Sequence, residues 1–191
     1  MHAILCDAID SGKSSFVYSL VRRLAGDGMR LSGWVTPAFM EGGEKAGHDF
    51  VAIEGGAVED PVPFTRLHPF ENSTSFPNLF SDGRGCPFHF NAAAFDRATH
   101  LTDRLSPVTG HGSRVTDLFV MDEIGPLELI HRRGFQGAMR AAFAAAPATI
   151  TVVRTGLDAL LQKALPDISF RILSLDAARR EESLLFRAKS G

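Results

Sequence analysis

Residues 119–129 read Phe119-Val-Met-Asp-Glu-Ile-Gly-Pro-Leu-Glu-Leu129. A short apolar run, Leu118 to Met121, delivers two adjacent carboxylates, Asp122 and Glu123, and then stops at Gly125-Pro126. A strand of this kind can present an Asp to Mg²⁺ and, beside it, a Glu that polarises an attacking water. Taken alone the pair is equally an acidic turn after a buried strand. Its reading changes because Gly12-Lys13-Ser14 follows a second short apolar strand, Ala3 to Cys6, at the other end of the chain.

A full phosphate-binding loop is G-x-x-x-x-G-K-[ST]; its backbone N–H groups wrap phosphates while Lys and the hydroxyl meet phosphate and Mg²⁺. Here the loop is Asp7-Ala-Ile-Asp-Ser-Gly-Lys-Ser14. Asp10, Ser11, Gly12, Lys13, Ser14 and Ser15 are the expected phosphate-lining residues, but Asp7 stands where the first Gly belongs and Asp10 is a second acid. Phe16, Leu20 and Leu24 then recur at helical spacing. The N-terminus of that helix would point partial positive charge at an anion. A carboxylate near 4 Å from a phosphate charge repels it by about 1 kcal/mol in water, and more at lower effective dielectric. Two readings of these acids stand: one helps hold the metal, or the loop is degenerate.

Four stretches together carry a family resemblance: strand–Gly-Lys-Ser–helix, Leu31-Ser-Gly-Trp-Val-Thr-Pro37, Gly42-Gly-Glu-Lys-Ala-Gly-His-Asp-Phe-Val-Ala-Ile53, and Met121-Asp-Glu-Ile-Gly-Pro-Leu-Glu-Leu129. In this order they resemble the thermophile-type nucleoside-triphosphatase family, whose vertebrate members are called cancer-related nucleoside triphosphatase. The resemblance runs nearly the whole length. It implies a RecA-like P-loop fold and slow Mg²⁺-dependent hydrolysis of several nucleoside triphosphates. By the same resemblance Lys13 would contact the β- and γ-phosphates, Ser14 and Asp122 would hold Mg²⁺, and Glu123 would be the base. Family members normally carry glycines where this chain has Asp7 and Asp10.

With 191 residues and 45% hydrophobic content, one domain spanning 1–191 can bury a substantial core without disulfides or metal staples. A net charge of −2 gives no bulk attraction to nucleic acid or anionic membrane. The Arg pairs at 22–23, 132–133 and 179–180 are scattered, which suits solvated faces better than a basic groove. No apolar run approaches the roughly 20 residues of a membrane span, and the first residues read as a strand rather than a signal peptide. Two cysteines, Cys6 and Cys86, are too few for a disulfide framework, so a reducing cytoplasm is expected.

Strands and helices alternate along the chain. This predicts a three-layer, doubly wound α/β fold with a mostly parallel sheet and an added β-hairpin. The expected strands are 3–6, 31–36, 118–121, 148–153 and 168–175, with the hairpin at 38–53 turning over Glu41-Gly42-Gly43. Helices are expected at 16–24, 92–105, 135–146, 158–165 and 177–189; Gly110 to Ser113 reads as a loop. Residues 54–90, rich in Gly, Pro, Ser and Phe, read as loops and short strands across the nucleotide edge of the sheet.

Arg154 follows a predicted central strand, where it could stabilise transition-state charge or be a surface residue. Glu128 is either part of the motif or a helix-start carboxylate. His48-Asp49 stands at the family's aromatic position, where a base could stack, or is an edge-strand pair. Cys86-x-x-His89 lacks the second pair that a zinc site needs. No G-x-S-x-G elbow supports a Ser-His-Asp hydrolase, and adjacent strand carboxylates point to opposite faces, which does not suit a glycosidase. Three functions follow: a Mg²⁺-dependent nucleoside triphosphatase using Glu123, Lys13 and Arg154; a degenerate P-loop binding module; or a small-molecule or nucleotide kinase whose acceptor pocket is the Phe-rich 62–90 segment.

Overall fold

The computed structural model describes residues 1–76, 87–105 and 116–189. The expected loop at 110–113 and Cys86 of the Cys-x-x-His pair lie outside these residues. In chain order the elements are β1 (His2–Asp7), α1 (Lys13–Gly26), β2 (Leu31–Val35), β3 (Ala38–Glu41), β4 (Glu44–Glu54), β5 (Ala57–Val58), β6 (Val62–Arg66), β7 (Ser73–Ser75) and β8 (His89–Asn91). Then come α2 (Ala92–Asp103), β9 (Leu118–Met121), α3 (Pro126–Leu129), α4 (Gln136–Ala145), β10 (Thr149–Arg154), α5 (Asp158–Ala164), β11 (Phe170–Leu173) and α6 (Leu175–Lys189).

The central sheet runs β11-β1-β10-β9-β2, and every neighbouring pair in it is parallel. The strand that feeds the phosphate loop, β1, and the strand that ends at Asp122, β9, are thus separated only by β10. Beyond β2 the sheet continues antiparallel through β4, β6, β8 and β7. The predicted hairpin is β3–β4, and its return strand is long because it pairs with β2 at one end and with β3 and β6 at the other.

Strand alternation sorts the core into two layers. Ile4, Phe119, Met121 and Val153 face one side and pack with Ala98, Leu101, Met139, Ala142 and Leu161 of α2, α4 and α5. Their neighbours Leu5, Val120 and Val152 face the other side, with Val17 and Val21 of α1 and Leu175 of α6. The doubly wound, three-layer arrangement read from the sequence is the one observed. The same alternation fixes the site. Asp7 has the parity of Leu5 and Asp122 the parity of Val120, so both project toward the face that carries α1 and α6.

Close packing of β2 on β9 depends on Gly33. Its φ is +125°, and an added Cβ would stand 1.9 Å from the Val120 carbonyl oxygen. Gly33→Ala should therefore destabilise the protein by roughly 3 kcal/mol and lower Tm by roughly 10 °C. Thermal melts followed by circular dichroism check this; an unchanged Tm would mean that β2 and β9 do not approach this closely.

Candidate functional site

The loop from Asp7 to Ser14 turns sharply into α1, with Gly12 at the N-cap in the left-handed region (φ 91°). Asp10 is also left-handed (φ 57°), a conformation that Asp tolerates better than most residues. Asp7 lies at the end of β1 and is not among the positive-φ residues, so glycine's freedom is not required there. Lys13 is buried, and its ammonium donates to the carbonyls of Asp7 (3.0 Å) and Ala8 and to Ser11 Oγ (3.3 Å).

Both loop acids have partners of their own. One Asp7 carboxylate oxygen accepts from its neighbour Ala8 N–H at 2.7 Å. The other accepts from Leu175 N–H at 3.1 Å, at the first residue of α6. These two backbone bonds, Ala8 foremost, hold the Asp7 carboxyl below its ordinary pKa. Its negative charge is spent on an orphan N–H at a helix start, where the dipole also favours it. Asp10 pairs with Lys45 Nζ at 2.6 Å across the gap to β4, and that hydrogen bond likewise lowers its pKa. The repulsion expected of these residues is thus offset at Asp10 by a cation, and at Asp7 by two backbone donors that fix where the carboxylate points.

Asp122 has no exposure. Its Oδ1 accepts from Ser14 Oγ (3.1 Å) and from Glu123 N–H (2.9 Å), and its Oδ2 accepts from Thr36 N–H (2.9 Å). Its own carbonyl accepts from the Trp34 indole at 2.9 Å. Burial, and then the Glu123 charge, push Asp122 up from the ordinary carboxylate range. The Thr36 hydroxyl is buried with no hydrogen-bond partner among the described residues.

At Glu123 the chain leaves the strand with φ 61°. This unusual backbone directs the side chain into a cleft of about 680 Å³ that Lys13, Ser14, Thr36, Lys45, His48 and Arg154 also line. The Glu123 side chain keeps 41% exposure; desolvation by the cleft walls raises its pKa, while Lys45, Arg154 and Lys13, in that order, oppose the rise. Three cations from three separate elements therefore act on one carboxylate. His48 faces it with Nε2 3.8 Å from Glu123 Oε1, and its Nδ1 is 3.0 Å from Thr65 Oγ1. Burial brings His48 down to about 4, so it is neutral at physiological pH and the contact is not an ion pair. The sequence pattern gave no role to Lys45, Thr36 or Thr65. Only the Gly-Gly-Glu-Lys turn, which hands a cation to a hairpin tip, hinted at the first.

The structure brings Asp10, Ser11, Gly12, Lys13, Ser14, Ser15, Glu123 and Arg154 to one cleft, with Asp122 behind Ser14. Glu128 is buried under its floor. Oε2 accepts from the N-cap Gly125 N–H at 2.9 Å, which starts α3 on Pro126, and Oε1 accepts from Phe135 N–H at 3.0 Å. The carboxyl belongs to the helix start and to the seat of Phe135, which stacks on Trp34 with centroids 4.7 Å apart. Among the described residues there is no cluster of three His, Cys, Asp or Glu side chains that could hold a metal. No helix among them is long and apolar enough to cross a membrane.

Burial raises Glu128 to about 7 from an unfolded value of 4.5. A carboxyl raised in the fold stabilises fully below its unfolded pKa, and that contribution is lost as pH rises through the folded value. In urea melts at pH 4.5 and 7.5, Glu128→Gln should remove part of the wild-type decline between these pH values. It should also lower stability at pH 4.5, because an amide NH₂ would oppose one of the two backbone N–H groups. An unchanged slope would show that Glu128 does not titrate in this window.

A family model described as NTPase matches residues 99–186, which include the carboxylate strand but not the phosphate loop. No curated protein sequence matches the chain. The fold is similar to the solution structure of a human cancer-related nucleoside triphosphatase, with a TM-score of 0.65, 16% identity, and coverage of 100% of this chain and 98% of that one. It is also similar to the crystal structure of THEP1 from the hyperthermophile Aquifex aeolicus, with a TM-score of 0.61, 20% identity, and coverage of 92% and 90%. The segment that the family model matches contains the Asp-Glu-Ile-Gly-Pro-Leu-Glu-Leu stretch, and the two solved structures share the fold of the whole chain.

Proposed function

We propose that the chain is a Mg²⁺-dependent nucleoside triphosphatase. The observation that carries this reading is the gathering of Lys13, Lys45 and Arg154 in the cleft that Glu123 lines, at the N-terminus of α1. Such a cleft suits a polyanion beside an ordered water. The NTPase family match and the names of the two structural relatives point the same way.

The donors fit Mg²⁺, which takes hard oxygen ligands and leaves several positions to water and phosphate. Ser14 Oγ and Asp122 would hold it, joined by the buried, unpartnered Thr36 hydroxyl. When bound, the ion would neutralise charge on the β- and γ-phosphates. Lys13 would exchange its loop carbonyls for phosphate oxygens, and the N–H groups of residues 10 to 15 would line the phosphates. Water oxygen would bond to the γ-phosphorus as the bridge to the β-phosphate breaks, giving nucleoside diphosphate and inorganic phosphate. Glu123, which lines the cleft beside Ser14 and Arg154, would orient the water and accept its proton. Arg154 would absorb charge at the leaving bridge.

A non-catalytic P-loop module drew its support from repulsion by Asp7 and Asp10, and the partners found for both carboxylates weaken it. A kinase has one observation in its favour. Past Glu123 the cleft continues to Phe64, Phe88, Phe90 and Phe135, an apolar wall that could seat an acceptor.

Glu123→Gln should lower ATP turnover by roughly 10²–10⁴-fold while nucleotide affinity, by calorimetry, stays within a few-fold of wild type. Turnover close to wild type in that variant would remove Glu123 from the chemistry. Phosphate release equal to ATP consumed supports hydrolysis; a persistent shortfall, with phosphate on an added nucleoside or metabolite, would replace it with the kinase.

A further inference from the structure

The loop acid Asp10 and the hairpin cation Lys45 meet at the cleft, and neither side chain takes part in the hydrolytic steps above. We propose that Lys45 is a specificity-determining residue that reads the terminal phosphate of a bound triphosphate, and that Asp10 is the carboxylate it leaves to do so. The inference rests on the reading of this cleft as a triphosphate site.

Four observations support it. Lys45 lies on β4 opposite the phosphate loop, and its ammonium reaches Asp10 Oδ1 at 2.6 Å. It lines the same cleft as Lys13, Glu123 and Arg154. Lys45 shares β4 with His48, whose Nε2 is 3.8 Å from Glu123 Oε1. A cation on the strand that meets the water-orienting carboxylate is placed to serve the phosphoryl group that this water would attack. Lastly, the ion pair is exposed, with Lys45 at 32% and Asp10 at 64% side-chain exposure.

Exposure decides the direction of exchange. An ion pair between solvated side chains is weak, so a polyphosphate offering several charged oxygens can take Lys45 from a single carboxylate. Lys13 and the loop N–H groups grip phosphates common to diphosphate and triphosphate. Lys45 comes from β4, across the cleft from that loop, where a third phosphate would extend. Asp10 then acts in two ways. It holds the cation over the cleft before binding, and it competes for that cation afterwards, which weakens retention of the nucleotide. An acid inside a phosphate loop thereby becomes a tuning element, held at φ 57° with its side chain turned toward the hairpin.

The test is calorimetric titration with the β,γ-imido analogue of ATP and with ADP, each with Mg²⁺, on wild type, Lys45→Ala, Lys45→Arg and Asp10→Asn, alongside ATP turnover. Lys45→Ala should weaken the triphosphate analogue by about tenfold or more and ADP by less than about twofold. Lys45→Arg should restore most of the preference, because a guanidinium also serves phosphate. Asp10→Asn should tighten the triphosphate analogue and leave ADP nearly unchanged. Equal losses for both nucleotides in Lys45→Ala, or an unchanged ratio, would overturn the inference while wild-type hydrolysis keeps the proposed function intact. Wild-type protein that binds neither nucleotide would overturn both. Circular dichroism melts on each variant show that the losses are not unfolding.

Discussion

The buried Asp122 carboxylate is the point on which the cleft is hung. It receives the Ser14 hydroxyl from the first turn of α1, the Thr36 N–H from the end of β2, and the N–H of Glu123. Its carbonyl takes the indole of Trp34. A charge without exposure is tolerable only when hydrogen-bond donors surround it, and these come from three segments distant in sequence. Removing any one leaves a buried acceptor short of a partner, so the relative placement of α1, β2 and β9 is over-determined. Trp34 then carries the constraint outward through its stacking on Phe135, whose N–H is held by Glu128. The Asp122 carboxylate and the apolar wall of the cleft are in this way parts of one network.

The two acids of the phosphate loop divide along the same physical line. Strand parity sends Asp7 toward α6, where it finds an orphan N–H that needs an acceptor. Asp10, outside the strand and left-handed, finds a cation on the hairpin. Equal residues three positions apart thus differ because one inherits the direction of a strand and the other does not. The phosphate loop is tied to the C-terminal helix by the first and to the β3–β4 hairpin by the second.

Much of this architecture was legible in the sequence. Alternation of apolar runs gave the five parallel strands within a few residues, and the Gly-Lys-Ser and Asp-Glu patterns placed the cleft at their carboxyl ends. The antiparallel extension was less visible. β6 (Val-Pro-Phe-Thr-Arg) and β8 (His-Phe-Asn) are short, pair at the sheet's far side, and lack clean alternation. The single turn α3 is too short for helical periodicity, although Gly125, Pro126 and Glu128 supply a cap, a first residue and an N3 carboxylate that spell its start. The partners of Asp7 and Asp10 lie 168 and 35 residues away. No local pattern announces them, and a backbone donor such as Thr36 N–H has no sequence signature at all. His48 shows the same limit: its neutrality follows from burial between Thr65 and Glu123, which spacing does not reveal.

The left-handed backbone at Glu123 has an evolutionary consequence. A residue with a Cβ pays about 1–3 kcal/mol to stay in that region, whereas Gly occupies it freely and Asn with less penalty. Thermodynamic optimisation and retention of the carboxylate therefore pull in opposite directions at one codon. Drift under pressure for robustness alone would favour Gly or Asn here, as it would at Asp10 and Arg132, which share the left-handed region. Keeping Glu at this torsion sets what the side chain offers against what the main chain prefers.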